Sequence, residues 1–322
     1  MKYAARKLGT LLLTMLIVSF LTFLAFQLIP GDPATAMLGT QATPEKVAAL
    51  REQLGLNRPL LVRYGSFLAG LVTGDPGTSY SYRIPVSELL AQKVPVTLTL
   101  ALMSFVLITA VSVPLGLWSV RWEGRTGRRW RVLDAVRTVF NQLCMALPPF
   151  FTGILLTWAF SVTFRVFTLG RFPAFSENPG GFFLYLLFPA AAVALPRIAM
   201  PVRMLRSTVL HELNRDYVRT AISRGNDRRA VLRRHVLKNA LVPVIAFLAQ
   251  TMAEVIAGSI VVEQVFSVPG LGRLLLTSIG NRDYPVVQTI VVVLALWVVL
   301  AGAIGDLLSQ RIDPRLREDG AL

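Results

Sequence analysis

The sequence predicts an all-α polytopic membrane protein with six transmembrane helices and a small extracytoplasmic module. Of its 322 residues, 54% are hydrophobic and only 16% are charged. The apolar residues form six long runs, and a helix of about 20 residues crosses a hydrocarbon core of about 30 Å. Lysine and arginine cluster in alternate connections between these runs, as is typical of cytoplasmic loops. These three observations place the chain in the membrane class.

The six apolar runs define the predicted spans, which cover residues 8–29, 96–120, 138–164, 182–205, 241–265 and 285–308. A cleaved signal peptide is the alternative for the first run, because Ala34-Thr35-Ala36 has the pattern of a cleavage site. The run is long for a signal peptide, so we expect an uncleaved anchor. Pro148-Pro149 should interrupt the third span near its middle. Pro189, Pro196 and Pro201 should make the fourth span irregular.

The charge distribution predicts the orientation of these spans. Six arginines lie within residues 121–137 and eleven basic residues within 197–238, whereas residues 31–93 carry six basic and five acidic residues. Placing both basic regions in the cytoplasm puts both termini there as well. The net charge of +15 therefore reflects topology, and nucleic acid is not an expected partner. We divide the chain into an N-terminus with the first span (1–30), an extracytoplasmic module (31–93) and a membrane core (94–322) with a cytoplasmic loop (206–240).

The module at residues 31–93 should contain a short amphipathic helix. Thr43 and Pro44 are typical of a helix start, and apolar residues then recur at helical spacing up to Gly55.

The cytoplasmic loop should present a second short helix within residues 216–225, a polar and basic stretch between two apolar segments. Asp216 can cap its first turn, Arg224 complements its last turn, and Gly225 can adopt the left-handed conformation that ends it. About eight helical residues span roughly 12 Å. Such a helix is too short to cross a bilayer but long enough to lie in a groove of a partner protein.

Catalytic and metal-binding patterns are absent from the sequence. It contains no GxxxxGK[ST], HExxH or GxSxG arrangement, so we expect no nucleotide site and no catalytic residue. Cys144 is the single cysteine, which excludes an intrachain disulfide. The two histidines, His211 and His235, are interpreted as polar members of a solvated helical face and not as metal ligands.

Polar residues inside the spans are candidates for a translocation path, because such groups usually face a bundle interior or water. Gln250, Glu254 and Gly258 recur every four residues and share one stripe of the fifth span. This stripe either faces a pore or forms a helix-packing seam. Asn141 and Gln142 lie close to the prolines of the third span, where a broken helix exposes backbone polar groups.

Other charged residues lie nearer the ends of the spans. Glu263, near the outer end of the fifth span, is either a gate residue or an interfacial one. Arg197, Arg203 and Arg206 repeat at helical intervals on the cytoplasmic half of the fourth span. They contact either anionic lipid or a partner's carboxylate.

Residues 216–225, extended to Asn239-Ala240-Leu241-Val242-Pro243, resemble the cytoplasmic EAA-type loop of permease subunits of ATP-binding cassette (ABC) importers. Asn226 departs from that loop, since an apolar residue more usually follows the glycine. Further landmarks along the chain resemble the peptide and nickel group of these permeases: Pro30-Gly31-Asp32-Pro33, Gly55-Leu56-Asn57-Arg58-Pro59, Gly74-Asp75-Pro76-Gly77-Thr78-Ser79, Pro149-Phe150, Glu263-Gln264-Val265-Phe266, Pro269-Gly270-Leu271-Gly272, Arg282-Asp283-Tyr284-Pro285 and Asp313-Pro314-Arg315.

The resemblance implies a type I ABC importer permease of the first-subunit type, located in a bacterial inner membrane. Its partners would be a second homologous permease, two cytoplasmic ATPases that bind ATP and Mg, and an extracytoplasmic substrate-binding protein. The chain itself would bind no cofactor. Residues that would dock on an ATPase are Asp216, Tyr217, Arg219, Thr220, Ala221 and Gly225. Residues that would form the outer gate or contact the binding protein are Glu263, Pro269, Gly270, Gly272 and Asp283.

Di- and oligopeptides are the expected substrates, and nickel or a metal chelate is the alternative. A non-conducting membrane receptor or scaffold is the alternative from a different functional class.

Overall fold

The computed structural model describes residues 2–28, 31–120, 127–163, 170 and 172–312. Their regular structure is helical apart from one antiparallel bridge between Thr78 and Pro85. The α-helices are α1 (Lys2–Leu28), α2 (Pro33–Leu38), α3 (Pro44–Gln53), α4 (Leu60–Thr73), α5 (Val86–Val120), α6 (Arg128–Ala146), α7 (Pro149–Thr157), α8 (Pro179–Leu213), α9 (Asp216–Ser223), α10 (Arg228–Val231), α11 (Leu237–Val265), α12 (Leu271–Gly280) and α13 (Tyr284–Ile312). Wider π-helical turns follow α7 at Trp158–Thr163 and α10 at Leu232–Val236. Pro30, part of the basic loop at 121–126 and the landmark Asp313-Pro314-Arg315 lie outside the described residues.

Five helices in the described part of the chain are long and apolar enough to cross a membrane. They are Leu8–Leu28, Val86–Val120, Pro179–Leu213, Arg229–Val265 and Tyr284–Arg311. The number of candidate spans rises to six if α6 and the following helix, Pro149–Thr163, are counted as one span. The angle between these two helices is 103°. Pro148-Pro149 explains the break, because proline removes a backbone donor and its ring clashes with the preceding turn. The prediction of an all-α polytopic membrane protein is confirmed, and its third span is strongly bent.

The fourth predicted span is regular, contrary to expectation. Pro189, Pro196 and Pro201 all lie inside the continuous 35-residue helix α8. Pro189 and Pro201 are buried, so neighbouring side chains pack around the positions where a backbone hydrogen bond is missing. Prolines are tolerated in this way inside membrane helices because adjacent elements compensate for the lost bonds.

Residues 1–98 and 268–299 form one compact unit. In it, α3 begins as predicted: Thr43 precedes Pro44, and the Thr43 hydroxyl accepts a hydrogen bond from the Lys46 N–H. The apolar helix α4 was not anticipated, because the whole stretch was interpreted as polar. Its Tyr64 hydroxyl lies 2.9 Å from the Ser19 hydroxyl, which attaches α4 to α1.

Residues 99–267 and 300–322 form the second unit. Here α8 packs against α6, α7 and α11, and α7 also packs against α11. The Tyr185 hydroxyl of α8 donates to the Phe266 carbonyl over 2.6 Å, immediately after α11. A side chain at Gly153 of α7 would begin 3.2 Å from the Phe266 ring, so the glycine permits this close approach. This packing fixes α8 and α11, which carry the intramembrane polar residues.

Candidate functional site

The predicted cytoplasmic helix is present as α9 and is closed by a Schellman motif. Gly225 has φ of +83°, its N–H bonds to the Ile222 carbonyl, and the Asn226 N–H bonds to the Ala221 carbonyl. The left-handed glycine is therefore confirmed. Asn226, the departure from the permease pattern, also donates from its side chain to the Ala221 carbonyl over 3.0 Å. The end of this helix is thus fixed by three hydrogen bonds.

The start of α9 differs from the prediction. Arg215 occupies the N-cap position, and no side chain caps the helix by a hydrogen bond. Asp216 is instead the first helical residue. Its carboxylate still favours the helix because it lies at the positive end of the helix dipole.

One edge of α9 is attached to the rest of its unit. Val218 is buried, and the Tyr217 hydroxyl donates to the Glu212 carboxylate over 2.7 Å. The Asn239 amide donates to the same Tyr217 oxygen over 3.4 Å, so both flanking helices contact this tyrosine. Burial raises the pKa of Tyr217, and the bond to Glu212 acts in the same direction. Tyr217 is therefore a neutral donor.

The opposite face of α9 is exposed. Asp216, Arg219 and Thr220 are all exposed, and Ala221 is partly exposed. The Arg219 guanidinium lies 4.0 Å from the Asp216 carboxylate, a weak surface pair. The helix is anchored on one side and presents a polar face on the other, as a rigid docking element should.

The polar stripe of α11 lies on the open side of that helix. Gln250 and Glu254 are exposed, and Gly258 is partly exposed. The residues buried on the other side of α11 are Val244, Leu248, Thr251, Val255, Ser259 and Val262. These residues are buried inside the structure, whereas Gln250 and Glu254 of the stripe are not.

Arg197 of α8 reaches the same stripe, which sequence reasoning did not anticipate. One guanidinium nitrogen, Nη2, donates to the Glu254 carbonyl over 3.0 Å, and Nη1 donates to the Val193 carbonyl over 3.1 Å. The sequence left open contact with lipid or with a partner's carboxylate, and in the structure the guanidinium bonds to backbone carbonyls of α8 and α11. The only signal in the sequence was Gly258, which leaves space beside Glu254.

Asn141 and Gln142 lie on α6, about two turns before the break at Pro148-Pro149. Asn141 is partly buried and Gln142 is exposed. After the break, the Thr152 N–H and hydroxyl both bond to the Pro148 carbonyl, at 3.1 and 3.2 Å. The polar backbone at the break is thus partly satisfied locally.

Asp283, a candidate for the outer surface, is fully buried in its unit. Its carboxylate accepts hydrogen bonds from the Ser79 hydroxyl, the Tyr80 N–H and the Ser81 N–H. Burial raises the pKa of Tyr80 to about 12, Arg63 acts to lower it, and Asp283 adds to the rise. The side chain of Asp283 holds the turn at residues 79–81.

The other outer candidates are also largely buried. Glu263 is fully buried, so it is not an interfacial residue. Gly270 and Gly272 are buried, and Pro269 is partly buried. Gly270 precedes α12, whose first N–H, from Leu271, donates to the Thr97 hydroxyl over 2.8 Å.

Comparison with protein families identifies the chain. Residues 112–318 match the family described as binding-protein-dependent transport system inner membrane component, and residues 1–101 match the N-terminal region of such membrane components. The chain belongs to this family. It is a multi-pass inner membrane protein, a permease of an ABC importer, and a transport subunit without catalytic activity of its own.

Similar proteins extend along nearly the whole permease. A probable peptide ABC transporter permease of Sinorhizobium fredii is 34% identical over 98% of this chain and 99% of that protein. A putative peptide transport system permease of Brucella abortus is 38% identical over 95% of each. A glutathione transport system permease of Salmonella choleraesuis is 34% identical over 98% of this chain and 99% of that protein.

A solved structure supports the fold. The inward-facing MetNI methionine ABC transporter has a chain with a TM-score of 0.52 and 21% identity, covering 70% of this permease and 96% of that chain. The permease therefore has an ABC importer permease fold. Family membership implies ATPase and binding-protein partners, and ATP is bound by the ATPases. Within the described residues, no three His, Cys, Asp or Glu side chains are grouped to hold a metal ion.

Proposed function

We propose that this permease conducts di- and oligopeptides through the inner membrane, delivered by an extracytoplasmic binding protein. The observation that carries the proposal is the 34% and 38% identity to peptide permeases over 98% and 95% of the chain. These matches cover nearly the whole chain, so the similarity is not confined to one loop.

The partner set proposed is a second homologous permease, two cytoplasmic ATPases and one binding protein. Exposure of Gln250 and Glu254 on an apolar helix supports the second permease. Placing a charged carboxylate against lipid costs about 3 kcal/mol of free energy or more. This stripe must therefore meet protein or a water-filled path. A second permease covering the stripe would create such a path between the two subunits.

The translocation path is proposed to be lined by Gln250, Glu254 and Gly258 of α11, together with Asn141 and Gln142 beside the break in the third span. Glu263, Gly270, Gly272 and Asp283 are buried, so their contribution to an outer gate is to hold backbone positions. Among the outer candidates, Pro269 keeps partial exposure for contact with the binding protein.

Coupling to ATP hydrolysis is assigned to residues 216–225. The exposed residues Asp216, Arg219 and Thr220 and the partly exposed Ala221 would dock on an ATPase, while Tyr217 holds the inner side and Gly225 ends the helix. Because Tyr217 contacts both Glu212 and Asn239, movement of α9 would be passed to the helices on either side.

This assignment places residues 206–240 and both termini in the cytoplasm and residues 31–93 outside. The division into 1–30, 31–93 and 94–322 describes that topology. The basic residues at 121–137 and 197–238 support the orientation.

The test is ATP-dependent uptake of a labelled dipeptide by the complete complex in proteoliposomes, with the binding protein present. Gly225→Pro should abolish coupling, because proline is fixed near φ of −65° and loses the N–H that bonds to Ile222. Arg219→Glu should reduce uptake about tenfold or more by reversing charge on the docking face. Arg129→Glu, an exposed charge reversal on α6, is the matched control and should retain uptake.

Normal uptake by assembled Gly225→Pro and Arg219→Glu complexes would remove the coupling role. A wild-type complex that imports nickel or a chelate but no peptide would contradict the proposed substrate.

A further inference from the structure

Arg197 lies near the middle of α8, inside a membrane-spanning helix, and its guanidinium extends to α11. Two of its donors bond to the Val193 and Glu254 carbonyls. Among the described residues, no acceptor lies within hydrogen-bonding distance of its buried Nε. An intramembrane charge of this kind is costly unless it faces protein or a polar path. The backbone carbonyls orient the cation without neutralising its charge.

Gly258 determines where the cation lies. A Cβ at Gly258 would be 2.5 Å from Nη2 and 2.9 Å from Nη1 of Arg197, so the guanidinium occupies the space that the missing side chain leaves. Any larger residue would displace the guanidinium. The position of this positive charge is therefore built into the contact between α8 and α11.

Glu254 supplies an opposite charge on the same face. Its side chain is exposed, and within the described residues its carboxylate makes no hydrogen bond. Cβ atoms in a helix tilt toward its N-terminus, which directs the Cα–Cβ bond of Glu254 away from Gly258. The Arg197 and Glu254 charges still lie near enough to attract each other. Residues 254 and 258 are four residues apart, slightly more than one helical turn, which corresponds to about 6 Å along the axis. Two opposite charges thus lie on one open face without bonding to each other.

We propose that Arg197 and Glu254 form a dipolar subsite in the translocation path for a zwitterionic substrate. The guanidinium takes the substrate's terminal carboxylate, and the Glu254 carboxylate takes its terminal ammonium. The termini of an extended dipeptide are roughly 7 Å apart, which suits charges separated by a helical turn or slightly more. This proposal rests on the proposed peptide transport and names the groups that recognise the peptide ends.

Glu254→Gln is the decisive variant. Arg197 bonds to the Glu254 backbone carbonyl, so this isosteric change removes the negative charge and leaves every hydrogen bond between α8 and α11 in place. We expect dipeptide uptake by the complete complex to fall about tenfold or more, the loss associated with one buried charge-assisted bond. ATP hydrolysis stimulated by the loaded binding protein should stay within about twofold of wild type, because docking and coupling are untouched.

Arg197→Gln should show the same separation of uptake from ATP hydrolysis. Arg197→Lys should be intermediate, because it keeps the charge but loses the two-pronged geometry. Arg203→Gln, an exposed arginine on the same helix, is the control and should behave as wild type.

The proposal would be overturned if Glu254→Gln showed normal uptake. It would also be overturned if uptake, ATP hydrolysis and complex assembly fell together in Arg197→Gln and Glu254→Gln. In either case Arg197 would serve only as a structural link between the two helices. A wild-type complex that does not import labelled dialanine would instead contradict the proposed function itself.

Discussion

Asp283 and Glu254 are two acidic side chains of the permease in opposite surroundings. Asp283 is fully buried, and its carboxylate accepts hydrogen bonds from a hydroxyl and two backbone N–H groups. Glu254 is exposed on a membrane helix, and in the described part of the chain only its backbone carbonyl is hydrogen-bonded to another side chain.

This difference separates structural from functional candidates better than sequence position does. A buried carboxylate with its lone pairs occupied stabilises the fold, because removing it would orphan its donors. An exposed intramembrane carboxylate contributes little to its own unit and is retained at a cost. Substitution of Asp283 should therefore change the stability of the complex, whereas substitution of Glu254 should change transport.

The largest expected effect is that of Asp283→Ala on stability. The change leaves the Ser79 hydroxyl and the Tyr80 and Ser81 N–H groups without their acceptor, at about 1–3 kcal/mol for a fully buried donor and less for a partly buried one. Ser79 is buried, whereas the bonds from the two N–H groups are only partly buried. We expect a loss of about 2–3 kcal/mol, seen as a lower thermal midpoint of the purified complex and faster proteolysis near residues 79–81. Glu52→Ala, at an exposed acidic residue of the same unit, should change neither.

If the Asp283→Ala complex were stable but impaired in transport, burial would not distinguish structural from functional carboxylates, and Asp283 would be a functional residue.

A smaller effect on stability and a clear effect on transport are expected from Gly258→Ala. The new methyl group would meet Arg197 Nη2 at 2.5 Å, and the flexible arginine can move away at a cost of about 1 kcal/mol or less. The displaced guanidinium should lower dipeptide uptake several-fold while the thermal midpoint changes little. Gly302→Ala is the control, because nothing lies within 4 Å of a Cβ there.

Equal losses of stability and uptake in Gly258→Ala would indicate that the glycine serves only helix packing.

Most of the fold was predictable because its signals are local. Long apolar runs determine the spans, Pro148-Pro149 determines the break, and Gly225 determines the end of α9. The regularity of α8 was not predictable, since it depends on neighbours that pack around Pro189 and Pro201. Likewise α4 was missed, because an apolar stretch too short to span carries no membrane signal of its own.

The candidate site was only half predictable for a similar reason. Helical spacing put Gln250, Glu254 and Gly258 on one stripe, but it could not show that α11 packs on α8 or that Arg197 reaches Gly258. The burial of Asp283 depends on Ser79, which lies 204 residues earlier in the chain. Contacts between residues so far apart depend on the assembled fold and leave no local pattern.

The smallest effect on stability is expected at Asp32, whose surroundings are intermediate between those of buried Asp283 and exposed Glu254. The Asp32 carboxylate accepts hydrogen bonds from the Thr35 N–H and hydroxyl and pairs with half-exposed Arg51 at 3.1 Å. Burial acts to raise the pKa of Asp32, but the bonds from Thr35 and Arg51 outweigh it, so the pKa lies below its usual value. Because the folded-state pKa is lowered, the stabilisation is present above the unfolded pKa of about 4 and is lost as pH falls through the folded value.

Asp32→Asn should therefore destabilise the segment from α2 to α3 by no more than about 1 kcal/mol near neutral pH, because the Arg51 pair is partly exposed to solvent. The difference from wild type should be present near neutral pH and should disappear at an acidic pH below the lowered folded-state pKa of Asp32, where both carry a neutral side chain. Hydrogen exchange of residues 33–53 at the two pH values measures this, with Arg51→Ala expected to match Asp32→Asn. If Asp32→Asn destabilised the protein as much as Asp283→Ala, the contribution of a carboxylate to stability would not depend on its burial. Asp32 would then stabilise its unit as strongly as a fully buried side chain.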